Sequence, residues 1–109
     1  MRRGDIVMAA ARGAYTGKPR PVVIVQDHRF DATTSVTVCP FTSHPVDAPL
    51  VRISIEPSAA TGLDAISHIM VDKITTMPRT GVREQVGRIA DTDLVRLDRA
   101  LLAFLGLAG

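Results

Sequence analysis

Apolar residues fall along most of this chain in short, β-branched runs separated by polar, turn-prone stretches, and the period changes only near the carboxyl end. Val22 to Val25 and Val36 to Phe41 are two such runs. The segment from Asp27 to Ser35 lies between them, so they predict neighbouring antiparallel strands. The same reading along the chain predicts strands near 4–10, 20–27, 34–41, 50–56, 66–74 and 84–89. A helix is expected near 92–105, where Leu94, Leu97, Leu101 and Leu105 form an apolar stripe with Arg96 and Arg99 off it. Asp91 or Thr92 is suited to cap its first amides and Gly106 to close its last turn. Pro21 and Pro40 fall at strand ends, where a missing donor costs least. The pattern is that of a mainly β domain with one helix.

Composition narrows this further. A chain of 109 residues makes one domain, spanning 1–109, and should bury about 65% of the surface its unfolded form exposes, enough for a core without staples. The lone Cys39 cannot form an internal disulfide, and its place in an apolar strand reads as a small buried hydrophobe, as expected of a cytoplasmic protein. Neither a basic leader with an apolar core nor a spanning run of roughly 20 apolar residues is seen, so neither export nor membrane insertion is expected.

Charge matters more by its distribution than by its sum of +2. Residues 1–30 hold six bases (Arg2, Arg3, Arg12, Lys18, Arg20, Arg29) against Asp5 and Asp27. Residues 31–72 hold Arg52 against Asp31, Asp47, Glu56, Asp64 and Asp72. The amino-terminal part is thus suited to face phosphates, and a solvated mixed-charge surface is the plain alternative.

Candidate chemistry sits at the ends of the two central runs. Arg20 precedes the first and Thr42 follows the second, so antiparallel pairing brings a guanidinium and a hydroxyl to one edge as a phosphate-binding pair. The alternative is a solvated flank for the arginine and a self-bonded turn for Thr42-Ser43. His28, His44 and His68 are general-base candidates by residue type, and His44, two residues past Thr42, is the nearest of them in sequence.

These segments, in this order, resemble the MazF/PemK family of toxins. Arg3-Gly4-Asp5-Ile6-Val7 is similar to the family's opening strand, Arg20-Pro21-Val22-Val23-Ile24-Val25 to its second, and Pro40-Phe41-Thr42-Ser43 to the end of its third. Ser67 to Ile74 resembles the family's serine, apolar strand and Asp-Gln-Ile. Gly87-Arg88-Ile89 precedes the final helix, and Leu105-Gly106-Leu107 resembles the family ending. The resemblance implies a small SH3-like β-barrel with a carboxyl-terminal helix. It also implies an endoribonuclease that cuts single-stranded mRNA without a cofactor or metal, the toxin of a toxin–antitoxin pair. A homodimer and a cognate antitoxin protein follow as expected partners.

Residue by residue, the family's arginine and threonine that act on the scissile phosphate correspond to Arg20 and Thr42. The implied reaction is attack by the ribose 2′-hydroxyl on its own phosphate, leaving a cyclic phosphate and a 5′-hydroxyl, with Ser43 as a further hydrogen-bond donor. Lys18, Arg12, Tyr15 and Lys73 are expected RNA contacts, with Tyr15 in a glycine-containing loop suited to stack on a base. The proton acceptor stays open, because arginine is ordinarily protonated at neutral pH and none of the three histidines matches a family catalytic position. One branch of the family uses an arginine two residues before the aspartate of this motif. Met70 stands there, so that branch's scheme does not carry over to Asp72, whose alternative is a surface ion pair or strand-end turn. Two other readings share the fold. A gyrase-binding poison of the CcdB type is disfavoured by the absence of tryptophan, and a catalytically inactive binding module is disfavoured by Arg20 and Thr42.

Overall fold

The computed structural model describes residues 1–10 and 18–108. Among the described residues seven strands precede one α-helix: β1 (Asp5–Ala9), β2 (Arg20–Ile24), β3 (Ser35–Thr42), β4 (Arg52–Ile55), β5 (Ser67–Met70), β6 (Thr75–Pro78), β7 (Val82–Arg88) and α1 (Asp91–Phe104). All described pairings are antiparallel, in the order β4-β5-β3-β2-β1-β7, with β6 also on β3. The mainly β class with a terminal helix is as expected, but the sheet does not close into a barrel. On the outer side of β7 a loop takes the place of β4: the Arg88 N–H donates to the Ala60 carbonyl at 2.8 Å. Gly62 and Gly87 permit that approach, since a Cβ on Gly87 would sit 2.2 Å from the Thr61 carbonyl oxygen and one on Gly62 would sit 2.1 Å from that of Val86.

The central strands read as unbroken apolar runs because both faces of the sheet are covered. Alternation sends Ile6, Val23, Cys39, Phe41, Ile53, Ile55 and Ile69 to one cluster, which α1 covers with Leu97, Ala100 and Leu101. Val7, Ala9, Val22, Ile24, Val36 and Val38 form a second cluster on the opposite face with Met1, Met77 and Val82. The helix stripe is shorter than expected: Leu105 is 52% exposed, and Ala100 completes the contact instead. Neither Asp91 nor Thr92 is the cap. Ala90 is the N-cap and offers no side-chain bond, while Asp91 and Asp93 fall within the first turn, where the helix dipole favours them. Gly106, at φ +73°, does close the helix: its N–H reaches the Ala103 carbonyl and that of Leu107 reaches Leu102, a Schellman pair.

Of the strand expected over 66–74 only Ser67–Met70 forms; a 3-10 turn at Val71–Lys73 ends it, and β6 at Thr75–Pro78, where no strand was expected, follows. β5 pairs Phe41 with Ile69 and Thr42 with His68, and β6 pairs Val38 with Thr75. Continuing the first register would set Val38 against Asp72, so the three turn residues account for the shift. Pro40, which has no N–H to donate, lies in the gap between the two paired stretches. The turn is anchored by the fully buried Val71, whose N–H reaches the Val51 carbonyl at 2.9 Å.

Two of the sequence segments meet in space. Asp5 is the cross-strand partner of Arg88, and its nearly buried carboxylate accepts from Arg88 at 2.9 Å and from the Arg2 N–H at 2.8 Å. Arg3 ties this end to the helix by bonding the Val25 carbonyl at 2.9 Å and pairing with Asp98.

Candidate active site

Arg20 opens β2 and Thr42 closes β3. The ladder between them pairs Val22 with Pro40, Val23 with Cys39 and Ile24 with Val38. Two residues further along the same register, Arg20 comes opposite Thr42. Directly opposed residues in an antiparallel pair project from the same face, with Cα atoms about 4.5–5.5 Å apart. Thr42 is in turn the partner of His68 on β5, His68 is the partner of Ser54 on β4, and Ala9 on β1 is the partner of Arg20. One row of side chains therefore crosses five strands: Ala9, Arg20, Thr42, His68 and Ser54.

Ala9 is buried in the second cluster, and the rest of the row reaches solvent. Arg20 and Ser54 are exposed, and Thr42 and His68 are half-buried. Among the described residues no carboxylate pairs with Arg20, whereas Arg3, Arg29, Arg52, Arg79, Arg88 and Arg96 each have an acidic partner. Residues 11–17 carry no acidic side chain in the sequence. The Thr42 hydroxyl is oriented by the backbone: Oγ1 accepts the His44 N–H at 3.2 Å, which leaves its own proton to donate outward. An unpaired guanidinium and an outward hydroxyl on adjacent strands suit a phosphate with two non-bridging oxygens.

The other expected site residues distribute as follows. Ser43 follows Thr42 in the turn and is exposed, and Lys18 is exposed just ahead of β2. Arg12 and Tyr15 lie outside the described residues. His44 is exposed, and its backbone, not its ring, is what touches Thr42. Lys73 is exposed in the 3-10 turn between β5 and β6, off the row. Asp72, in the same turn, is engaged through both oxygens by Arg52, at 2.9 and 3.2 Å. The Arg52 hydrogen bonds hold its carboxyl below the usual range despite an opposing effect of burial.

Cys39 points to the opposite, helix-covered face and is fully buried. Burial, with the charge of Asp72 as a lesser cause, pushes its thiol up to about 12, which makes it a packing residue and not a nucleophile. Among the described residues no group of three His, Cys, Asp or Glu side chains is arranged to hold a metal ion.

His68 is the residue that sequence proximity passes over. The nearest histidine to Thr42 along the chain is His44, but the β3–β5 ladder brings His68 to the row. Its Nδ1 lies 2.9 Å from the Ser54 Oγ. The signal was in the alternation, since burial of Ile69 and Val71 on the core face turns His68 to the other face. A groove of about 660 Å³ begins beside Ser54, between the end of β4, the Thr61 turn and the start of α1. It includes neither Arg20 nor Thr42, so it flanks the row.

The family model for PemK-like, MazF-like toxins of type II toxin–antitoxin systems matches residues 2–105. The chain belongs to the MazF/PemK toxin family. A full-length relative from Mycolicibacterium smegmatis, named as a probable endoribonuclease MazF, is 68% identical over 109 residues, covering 100% of both chains. Among solved structures, a mycobacterial endoribonuclease in complex with its cognate antitoxin superposes with a TM-score of 0.81 at 20% identity, covering 100% of this chain and 98% of that one. The Mycobacterium tuberculosis toxin MazF-mt6 gives 0.80 at 24% identity, covering 96% and 99%. At these identities the structural likeness speaks for the MazF fold alone, and membership rests on the family model and the 68% relative. No described helix is long and apolar enough to cross a membrane.

Proposed function

We propose that this member of the MazF/PemK family is a sequence-selective endoribonuclease acting on single-stranded RNA, the toxin of a type II toxin–antitoxin pair working in the cytoplasm. The observation that carries the reading is the β2–β3 register, which brings Arg20, without an acidic partner among the described residues, opposite Thr42 on the adjacent strand. The 68% relative's name points the same way. On this reading Arg20 binds the scissile phosphate bidentately and offsets charge that builds on its oxygens, while Thr42 donates to a non-bridging oxygen. Ser43 offers a second hydroxyl in the same turn. The ribose 2′-hydroxyl is the nucleophile, so the products are a cyclic phosphate and a 5′-hydroxyl, and DNA is not cut. Because the nucleophile belongs to the substrate, the reaction calls for no metal-bound water.

An open surface suits single-stranded RNA, whose unstacked bases need room on either side of the phosphate. Lys18, Arg12, Tyr15 and Lys73 are proposed contacts along the strand. A homodimer extending this surface and a cognate antitoxin covering it are the proposed assemblies, by analogy with the antitoxin complex among the solved relatives. The test is to incubate the protein, in EDTA, with mixed single-stranded RNA and matching DNA and to analyse the fragment ends. Discrete RNA fragments ending in cyclic phosphate, with intact DNA, are expected. Intact RNA across varied sequences would overturn the reading.

A further inference from the structure

We propose that His68 is the base that takes the 2′-hydroxyl proton, with Ser54 as the positioning residue that holds its ring, an inference that rests on the ribonuclease reading above. His68 is directly opposite Thr42 on one edge of β3, and Arg20 comes opposite Thr42 on the other. A phosphate held at Thr42 therefore lies between a guanidinium and an imidazole. In-line displacement needs the attacking and departing oxygens on opposite sides of phosphorus, and this row supplies a different group on each side. The 2′-oxygen faces His68, and the 5′-oxygen, on which negative charge builds, faces Arg20.

The ring is held for this task. Nδ1 sits 2.9 Å from Ser54 Oγ. In the tautomer whose Nδ1–H donates to Ser54, Nε2 carries the lone pair that takes the proton. The charged groups on the strands and helix around it are Arg20 on β2, beyond β3, Arg52 and Glu56 in and just after β4, with Arg52 already paired to Asp72, and Arg96 on α1, which donates to the Ser54 carbonyl at 3.3 Å and pairs with Asp93. Of the competing candidates, Asp72 is bonded by Arg52 through both oxygens, and the exposed His44, which meets Thr42 through its backbone, has no side-chain partner that orients its ring among the described residues.

The step balances without a further reactant except water. The 2′-oxygen forms its bond to phosphorus as its proton moves to Nε2 of His68. The phosphorus–5′-oxygen bond breaks, the electron pair leaves with the 5′-oxygen, and that oxygen takes a proton from water. The imidazolium then gives its proton to the hydroxide left behind, which restores the starting state.

The experiment follows single-turnover cleavage of a short RNA with one mapped cut, across pH, for the full chain and for His68→Asn, His68→Gln and Ser54→Ala. Asn keeps a partner for Ser54 but cannot take a proton. His68→Asn should cleave about a hundredfold or more slowly while binding RNA as before, because a positioned base contributes that order of rate. It should also lose an inflection of the wild-type pH–rate profile, and Ser54→Ala should displace that inflection with a smaller rate loss. The deficit of His68→Asn should persist on an RNA whose 5′-bridging oxygen is sulfur, a leaving atom that needs no proton. Rescue by sulfur would overturn the assignment as base, and wild-type rate and pH profile in both folded His68 variants would overturn any proton-transfer role. In either case the wild-type cleavage would leave the ribonuclease reading standing. Failure of the wild-type protein to cut RNA would instead remove that reading, and this inference with it.

Discussion

Arg20 and Thr42, far apart along the chain, come opposite each other at the open end of the β2–β3 ladder, two residues beyond the Val22–Pro40 pair. Their proximity follows from an apolar register, because Val22, Ile24 and Val38 are buried in one cluster and Val23 and Cys39 in the other. Slipping the ladder by one residue would turn every one of these side chains to the wrong face. The packing of the sheet is therefore what fixes the separation of guanidinium and hydroxyl.

The assignment of the nucleophile to the substrate has a direct consequence. Replacing the single ribose 5′ of a mapped cut by 2′-deoxyribose should abolish cleavage at that position while leaving binding nearly unchanged. Gel analysis of the two RNAs, with binding measured by fluorescence anisotropy, checks both parts.

Arg52 and Asp72 fasten the 3-10 turn that lets the chain pass from β5 to β6. Arg52→Ala should lower stability by about 1 kcal/mol, the upper end for a partly exposed bidentate pair. Because Arg52 holds the Asp72 carboxyl below its ordinary value, the contribution is fully present above the unfolded carboxylate value of roughly 3.9 and is lost as pH falls through the lower folded value. Urea unfolding at neutral pH and on acidification should show the gap between wild type and Asp72→Asn closing only in acid.

The close approach of the Thr61 turn to β7 predicts that Gly87→Ala is damaging although it adds one methyl group. A Cβ 2.2 Å from a backbone carbonyl oxygen forces a backbone shift, which costs about 1–3 kcal/mol. The expected fall in melting temperature is roughly 4–8 °C per kcal/mol for a domain of this size, read by thermal circular dichroism.

Cys39 should resist thiol reagents in the folded protein at pH 8, since it is fully buried and its thiol is pushed up to about 12. Reaction with an aromatic disulfide reagent should become rapid only in denaturant. Cys39→Ala should leave the rate of RNA cleavage unchanged.

Much of this architecture was legible because strand period and turn chemistry are local. The two central runs, the terminal helix and its Gly106 closure, and the Arg20–Thr42 opposition all follow from alternation, spacing and antiparallel pairing. The stop at Met70 and the further strand β6 were not legible, because Ile69 and Val71 are both buried as in a continuous strand. What breaks the strand is a three-residue register shift opposite Pro40 on a non-adjacent segment. The cap at Ala90 and the exposure of Leu105 are likewise settled by how α1 meets the sheet. His68 was hidden for a related reason: its place beside Thr42 depends on which strands pair, whereas His44 is near Thr42 in sequence alone.

The most direct measurement is the single-turnover cleavage rate of one RNA with a mapped cut, for wild type, Arg20→Ala and Thr42→Ala, each verified as folded. Loss of a preorganised donor to the reacting phosphate predicts a fall of about a hundredfold or more in both variants. A folded variant of either kind that cleaves at the wild-type rate would contradict the placement of the reaction at this pair.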